Sequence, residues 1–258
     1  MKFTINKLTR AQKRLRRRIL EISFKKGLSH LGSCLSAVDG IMAVYAVKKK
    51  NEKFVLSNGH AGVALYAVLG NYSYDFHVHP DRNSKQGIDV STGSLGMGLP
   101  IAVGLALANR KKNVYVMVSD GEMSEGSMWE ALRVAFEQRL SNLKIILNAN
   151  GWSAYDKVNL SVLLKRIKAF CSQVIIIDGH DIEDLMKALK KRLLRPHACQ
   201  AGELLHFVQS ALAMTNEAGP SIIFSKTTVE QLPFLKGQDS HYHIMTKEEY
   251  RLGMEMFR

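Results

Sequence analysis

The chain has 258 residues, of which 46% are hydrophobic, and carries a formal net charge of +13. This length and composition suit a soluble globular protein with a sizeable core and exclude fibrous and disordered classes. The longest apolar stretch, Leu95 to Ala108, is broken by Gly96, Gly98, Pro100 and Gly104 and falls short of the roughly 20 residues that a membrane span requires, so no membrane association is expected.

The opening MKFTINKLTRAQKRLRRR is charged where a signal peptide needs an apolar stretch. Cys34, Cys171 and Cys199 are widely spaced and odd in number, which suggests free thiols in a reducing compartment. A cytoplasmic location is the expectation. Much of the positive charge lies in Lys13 to Arg18 plus Lys25 and Lys26, on a segment whose Leu15, Ile19, Leu20 and Ile22 can form the buried face of a helix. The charges read first as a solvated helix face and second as a docking surface for an acidic partner. Nucleic acid ranks third and is not expected, because no aromatic stacking pattern accompanies them.

Further along, short apolar runs predict strands at Val114 to Val118, Leu143 to Leu147, Gln173 to Ile177 and Ser221 to Phe224. Between them, helical periodicity runs through Met128 to Arg139, Ser161 to Ala169 and Asp181 to Leu194. The alternation predicts an α/β fold in which a parallel sheet carries helices on both faces. No repeat or linker divides the chain, so residues 1–258 read as one domain with a short carboxyl-terminal tail.

In such sheets ligands sit at the carboxyl ends of the strands. The first of these strands is followed by Ser119-Asp120-Gly121-Glu122-Met123-Ser124-Glu125-Gly126, and the next by Asn148-Ala149-Asn150-Gly151-Trp152. The separation 150 − 120 = 30 residues is one strand-to-strand crossover, so Asp120 and Asn150 can converge as oxygen donors on one cation. Magnesium favours such donors, with a phosphate completing its shell. Gly121 permits close backbone approach to a diphosphate, and the following helix aims its N–H groups at that anion. An Asp-Gly pair alone is ordinarily just a turn.

Asp-Gly-Glu followed some 30 residues later by an Asn-containing loop resembles the thiamine diphosphate fingerprint of transketolases. Gly27-Leu28-Ser29-His30-Leu31-Gly32 is similar to that family's early Ser-Gly-His-Pro-Gly loop, and Phe54-Val55-Leu56-Ser57-Asn58-Gly59-His60 to its Phe-Val-Leu-Ser-Asn-Gly-His element. His79-Pro80-Asp81, the Ser91 to Gly98 loop, Asp178-Gly179-His180-Asp181 and Gly219-Pro220-Ser221 resemble further family segments in the same order, from about Leu28 to about Tyr250. Ser119, Leu31 and Met97 depart from the family's glycine, proline and glutamine, and Arg195 to Ala218 looks like an insertion.

The resemblance implies that Asp120, Asn150 and the Trp152 carbonyl bind Mg2+, with Ca2+ or Mn2+ as possible substitutes. Gly121 and His60 would face the diphosphate of thiamine diphosphate, and Gly93, Ser94 and Leu95 would flank its rings. His30, His79 and His241 would line the substrate channel as hydrogen-bonding and proton-relaying groups, with His241 preferred to His243 and His180 structural. The resemblance places Glu125 at a subunit interface, in a proton network with the partner's catalytic glutamate. An ordinary first-turn glutamate is the alternative.

Thiamine enzymes also need a pyrimidine-binding domain that supplies a glutamate, and the expectation is that a separate chain provides it, since no segment here resembles one. The resemblance therefore implies a split transketolase: a separate pyrimidine-binding subunit, an α2β2 heterotetramer, and transfer of a two-carbon ketol unit between sugars or sugar phosphates. Two other readings remain at this stage. One is a subunit of a different thiamine-dependent synthase or decarboxylase acting on a 2-oxo acid; the other is a non-catalytic partner-binding paralogue.

Overall fold

The computed structural model describes residues 4–70, 76–171, 174–190 and 219–258. Helix α1 (Arg10–Lys26) begins at a capping box in which the Thr9 hydroxyl accepts from Gln12 N–H while the Gln12 side chain accepts from Thr9 N–H, and it ends at Gly27 in the left-handed region. α2 (Leu31–Val47) is apolar almost all round and runs buried under the sheet. There follow β1 (Lys53–Leu56), α3 (Gly62–Leu69), α4 (Gly98–Ala108), β2 (Val114–Ser119), α5 (Gly126–Glu137) and β3 (Leu143–Ala149). The remaining elements are α6 (Leu160–Phe170), β4 (Val174–Asp178), α7 (Ile182–Lys190), β5 (Ser221–Lys226), the single turn α8 (Asp239–Tyr242) and α9 (Lys247–Met256).

The five strands form one parallel sheet in the order β1-β2-β3-β5-β4. Alternate side chains divide the core into two layers, as the pleat requires. Phe54, Leu56, Tyr115, Met117, Ile146 and Ile223 face α1, α2, α3 and α7. Val55, Val114, Val116, Val118, Ile145, Leu147 and Phe224 face α4, α5 and α6. Burial on both faces explains why these strands read as nearly continuous apolar runs. The expected α/β architecture is therefore present, with β2, β3 and β5 each one or two residues longer than expected. β1 is not among the expected strands. Gln173, the last four residues of the expected Asp181 to Leu194 helix, Cys199 and the Arg195 to Ala218 insertion lie outside the described residues.

The solvated reading of the basic segment needs correction at Arg16. Arg14, Arg17, Lys25 and Lys26 are exposed, but Arg16 is fully buried. Its guanidinium makes paired bonds of 2.9 and 2.6 Å to the buried Asp39 carboxylate on α2, and its Nε donates to Gln231 Oε1 at 2.8 Å. His180 joins them: Thr228 N–H donates to its Nε2 at 3.3 Å, so Nδ1 carries the proton donated to Asp39 Oδ2 at 2.8 Å. Burial alone would raise the Asp39 carboxyl, but Arg16 and His180 together bring it down to about 2. This network bolts α1 and α2 to the loops after β4 and β5, the structural place expected for His180.

Candidate functional site: a histidine-lined cleft at the strand ends

β2 and β3 are neighbours, with Ser119 opposite Asn148, so the loops that follow them leave the sheet side by side. Asp120 is 1% exposed; its Oδ2 accepts from Gly151 N–H at 2.6 Å and its Oδ1 from Gly121 N–H at 3.0 Å. Asn150, 8% exposed, accepts from Trp152 N–H at 2.9 Å. A Cβ at residue 121 would stand 3.1 Å from Ser153, which is why glycine occupies the point where the two loops touch.

Burial pushes the Asp120 carboxyl up to about 7, although N–H groups of Gly151 and Gly121 pull the other way, and no cationic side chain pairs with it among the described residues. A buried carboxylate short of countercharge, bonded to the loop that carries the Asn150 amide oxygen and the Trp152 carbonyl, offers oxygen donors of the kind a hard divalent cation takes.

These loops form one side of a cleft lined by Leu95, Ser119, Gly121, Asn150 and Trp152 together with His30, His60, His241 and Tyr242. The His30 ring centre lies 5.5 Å from His60, 6.3 Å from His241 and 6.4 Å from His79, and His60 lies 6.3 Å from His241. His30 starts α2 with φ 65, a strained left-handed conformation for a residue with a side chain. Its N–H donates to the His241 carbonyl at 2.7 Å, and Ser29 Oγ meets its Nδ1 at 2.8 Å.

Burial first, then the neighbouring His241 and His79, lowers His30 to about 4. Burial, then His30, His241 and His79, lowers His60 to about 3. Burial also lowers His241. At neutral pH these imidazoles are uncharged, so each can donate at one nitrogen and accept at the other. His241 Nδ1 is buried without a hydrogen-bond partner among the described residues.

Gly93 packs against the His79 ring and Gly96 against Glu125, so the 91–97 loop spans the distance between these two side chains. His79 is exposed at the cleft's edge. Ser94 is exposed and Glu125 caps α5 by its backbone alone; neither lines the cleft. His243 turns away, to Glu249 at 2.9 Å and the Phe234 ring. Tyr242, absent from the expected set, donates to the Ala154 carbonyl at 3.0 Å and its ring lies 6.1 Å from His30. No spacing signal marks Tyr242, because only the fold brings the chain's far end back to α2. The Ser119-x-x-Glu122 pair, also outside the expected set, has a readable signal as a capping box.

Residues 46–230 match the family model described as the transketolase thiamine diphosphate-binding domain. The chain belongs to that family. It is 37% identical over 220 residues to the transketolase of Homo sapiens, an alignment that takes in 72% of this chain but 35% of that protein. The chain thus spans about a third of the length of such transketolases. It is 26% identical to one named subunit of the apulose-4-phosphate transketolase of Actinobacillus succinogenes, covering 97% of this chain and 95% of that one. It is 32% identical to a 6-deoxy-6-sulfo-D-fructose transketolase subunit of Clostridium sp. (strain MSTE9), covering 69% of this chain and 76% of that one. In fold, it superposes on a Pichia stipitis transketolase with a TM-score of 0.73 at 22% identity, over 96% of this chain and 41% of that one. No described helix of this transketolase-family chain is long and apolar enough to cross a membrane.

Proposed function

We propose that this chain is the diphosphate- and magnesium-binding half of a two-chain transketolase, assembled as an α2β2 heterotetramer and active only with a separate pyrimidine-binding subunit. The observation that carries the reading is that the loops after β2 and β3 leave adjacent strand ends, are joined by the Gly151 N–H to Asp120 bond, and bring Gly121 and Asn150 into a cleft shared with His30, His60 and His241. End-to-end similarity to a relative named as one subunit of a transketolase supports the division of labour between two chains.

Asp120, Asn150 and the Trp152 carbonyl would hold Mg2+, with Ca2+ or Mn2+ able to stand in, while Gly121 and His60 meet the diphosphate. Gly93, Ser94 and Leu95 would border the rings. Bound thiamine diphosphate supplies the carbon nucleophile for cleaving and re-forming the ketose carbon–carbon bond. His30, His79 and His241 would hold sugar hydroxyls and move protons to and from the substrate oxygens, as imidazoles grouped around His30 are suited to do. Glu125 would meet the partner chain. We assign the whole chain to one domain and a cytoplasmic setting, with sugars or sugar phosphates as substrates and no nucleic acid.

The test is reconstitution. The chain alone, given thiamine diphosphate and Mg2+, should transfer no ketol unit, and activity should appear on adding the pyrimidine-binding chain. Ketol transfer by the isolated polypeptide, with mass spectrometry showing no co-purified partner, would overturn the two-chain reading. Turnover of pyruvate in place of a ketose would overturn the reaction class.

A further inference from the structure

Glu122 is fully buried, yet it is not part of the cleft lining. One oxygen, Oε2, accepts from Ser119 N–H at 3.0 Å while the Ser119 hydroxyl accepts from Glu122 N–H at 3.3 Å. That reciprocal pair has the bonding pattern of a capping box, set one residue ahead of the short turn Gly121–Ser124, whose own N-cap is Asp120. The other oxygen, Oε1, accepts from the Ser57 hydroxyl at 2.7 Å and from Gly96 N–H at 3.1 Å.

The three groups come from three different segments. Ser57 precedes His60 at the end of β1, Ser119 precedes Asp120 at the end of β2, and Gly96 follows Leu95. A Cβ at residue 98 would stand 2.5 Å from Ser57, so these segments meet without slack. Every contact to the carboxylate comes from an N–H or O–H donor. Only a group with two accepting oxygens satisfies all of them, because an amide would turn its own NH2 onto one donor. A buried carboxyl held by several donors from separate segments is costly to misalign, which makes it a rigid joint.

The geometry points to Glu122 as a positioning residue that locks the metal-side loop, the His60 loop and the 93–95 loop together, fixing the distance between the diphosphate end and the ring end of the site. The inference rests on the thiamine diphosphate reading above. It also gives Ser119 a purpose: its hydroxyl accepts the Glu122 N–H and completes the reciprocal pair.

Glu122→Gln in the full chain, in its assembled complex, tests this. Calorimetry with Mg2+ should show thiamine diphosphate affinity reduced about tenfold or more, in the range typical when a group supporting ligands is lost. Affinity for inorganic diphosphate should change much less, since that ligand needs only one end of the site. Ser57→Ala should show the same split, and Ser57→Ala added to Glu122→Gln should cost little more. Equal losses for both ligands would mean a merely structural role and overturn the proposal, as would unchanged affinity. Should Glu122→Gln fail to fold, Ser57→Ala and Ser119→Gly carry the same comparison. A wild-type complex that binds inorganic diphosphate but not thiamine diphosphate would refute the cofactor reading itself, a result distinct from any behaviour of the variants.

Discussion

The N–H of Gly151 donates to Asp120 Oδ2 at 2.6 Å, across the gap between the ends of β2 and β3. One carboxylate oxygen thereby registers the second loop against the first, and the placement of Asn150 and the Trp152 carbonyl depends on it.

Asp120→Ala should accordingly weaken Mg2+-dependent binding of thiamine diphosphate by about a hundredfold, since it removes both a charged donor and the contact that sets the opposite loop. Calorimetry across a magnesium titration reads this directly. Magnesium-dependent affinity that matched the unaltered complex would remove the metal assignment.

Replacing His30 or His241 by alanine should reduce turnover by about two to four powers of ten while changing cofactor affinity far less, because general acid–base groups act on the substrate in the transition state. The pair of measurements is kcat and the cofactor Kd on the same preparations. Full ketol transfer by both variants would place the channel elsewhere.

On acidification the buried imidazoles lower stability, while Asp120, whose carboxyl is held up at about 7 against an ordinary 3.8, works in the opposite sense between those two values. In the unfolded chain His30 and His60 take up protons near 6.5; in the folded protein they resist until about 4 and about 3. Between those values the unfolded state binds more protons at these two residues, so their contribution is complete above 6.5, declines as pH drops, and levels off below the folded values. Each unit of depression is worth about 1.4 kcal/mol at most. Asp39 adds its own loss from its ordinary 3.8 down to about 2, overlapping the acid end of the His60 window. Relative to the unaltered chain, His60→Gln should therefore remove an acid-side loss of melting temperature between pH 6.5 and 4, and an unchanged slope would contradict the burial of that ring.

Asp39→Ala should destabilise the fold by about 3–5 kcal/mol, because it strands the buried Arg16 guanidinium, whereas jointly replacing both by apolar residues of similar volume should cost far less. Chemical denaturation of the single and paired variants distinguishes the two outcomes.

Much of the fold and of the cleft is legible in the amino-acid order. Strands buried on both faces announce themselves as apolar runs, and the motif order locates Asp120, Asn150, His30 and His60 on loops that do meet. Arg16 escapes such a reading because its charge outweighs its position: it stands three and four residues before Ile19 and Leu20, on the same helical face, and Asp39 inside the otherwise apolar α2 is its countercharge. β1 escapes because a four-residue strand is scarcely distinguishable from the loop motif that continues it. The place of β5 between β3 and β4, and the return of Tyr242 to His30, depend on contacts between distant residues that no local pattern encodes.

That strand order also dictates a schedule for folding. β1, β2 and β3 can pair as soon as each is synthesised, but β4 borders only β5, so it must wait for residues 221–226 before it gains a ladder. His241 arrives later still. The histidine-lined cleft consequently cannot exist until a ribosome has delivered everything up to His241, and until β5 emerges an apolar strand with open edges waits in need of protection from aggregation.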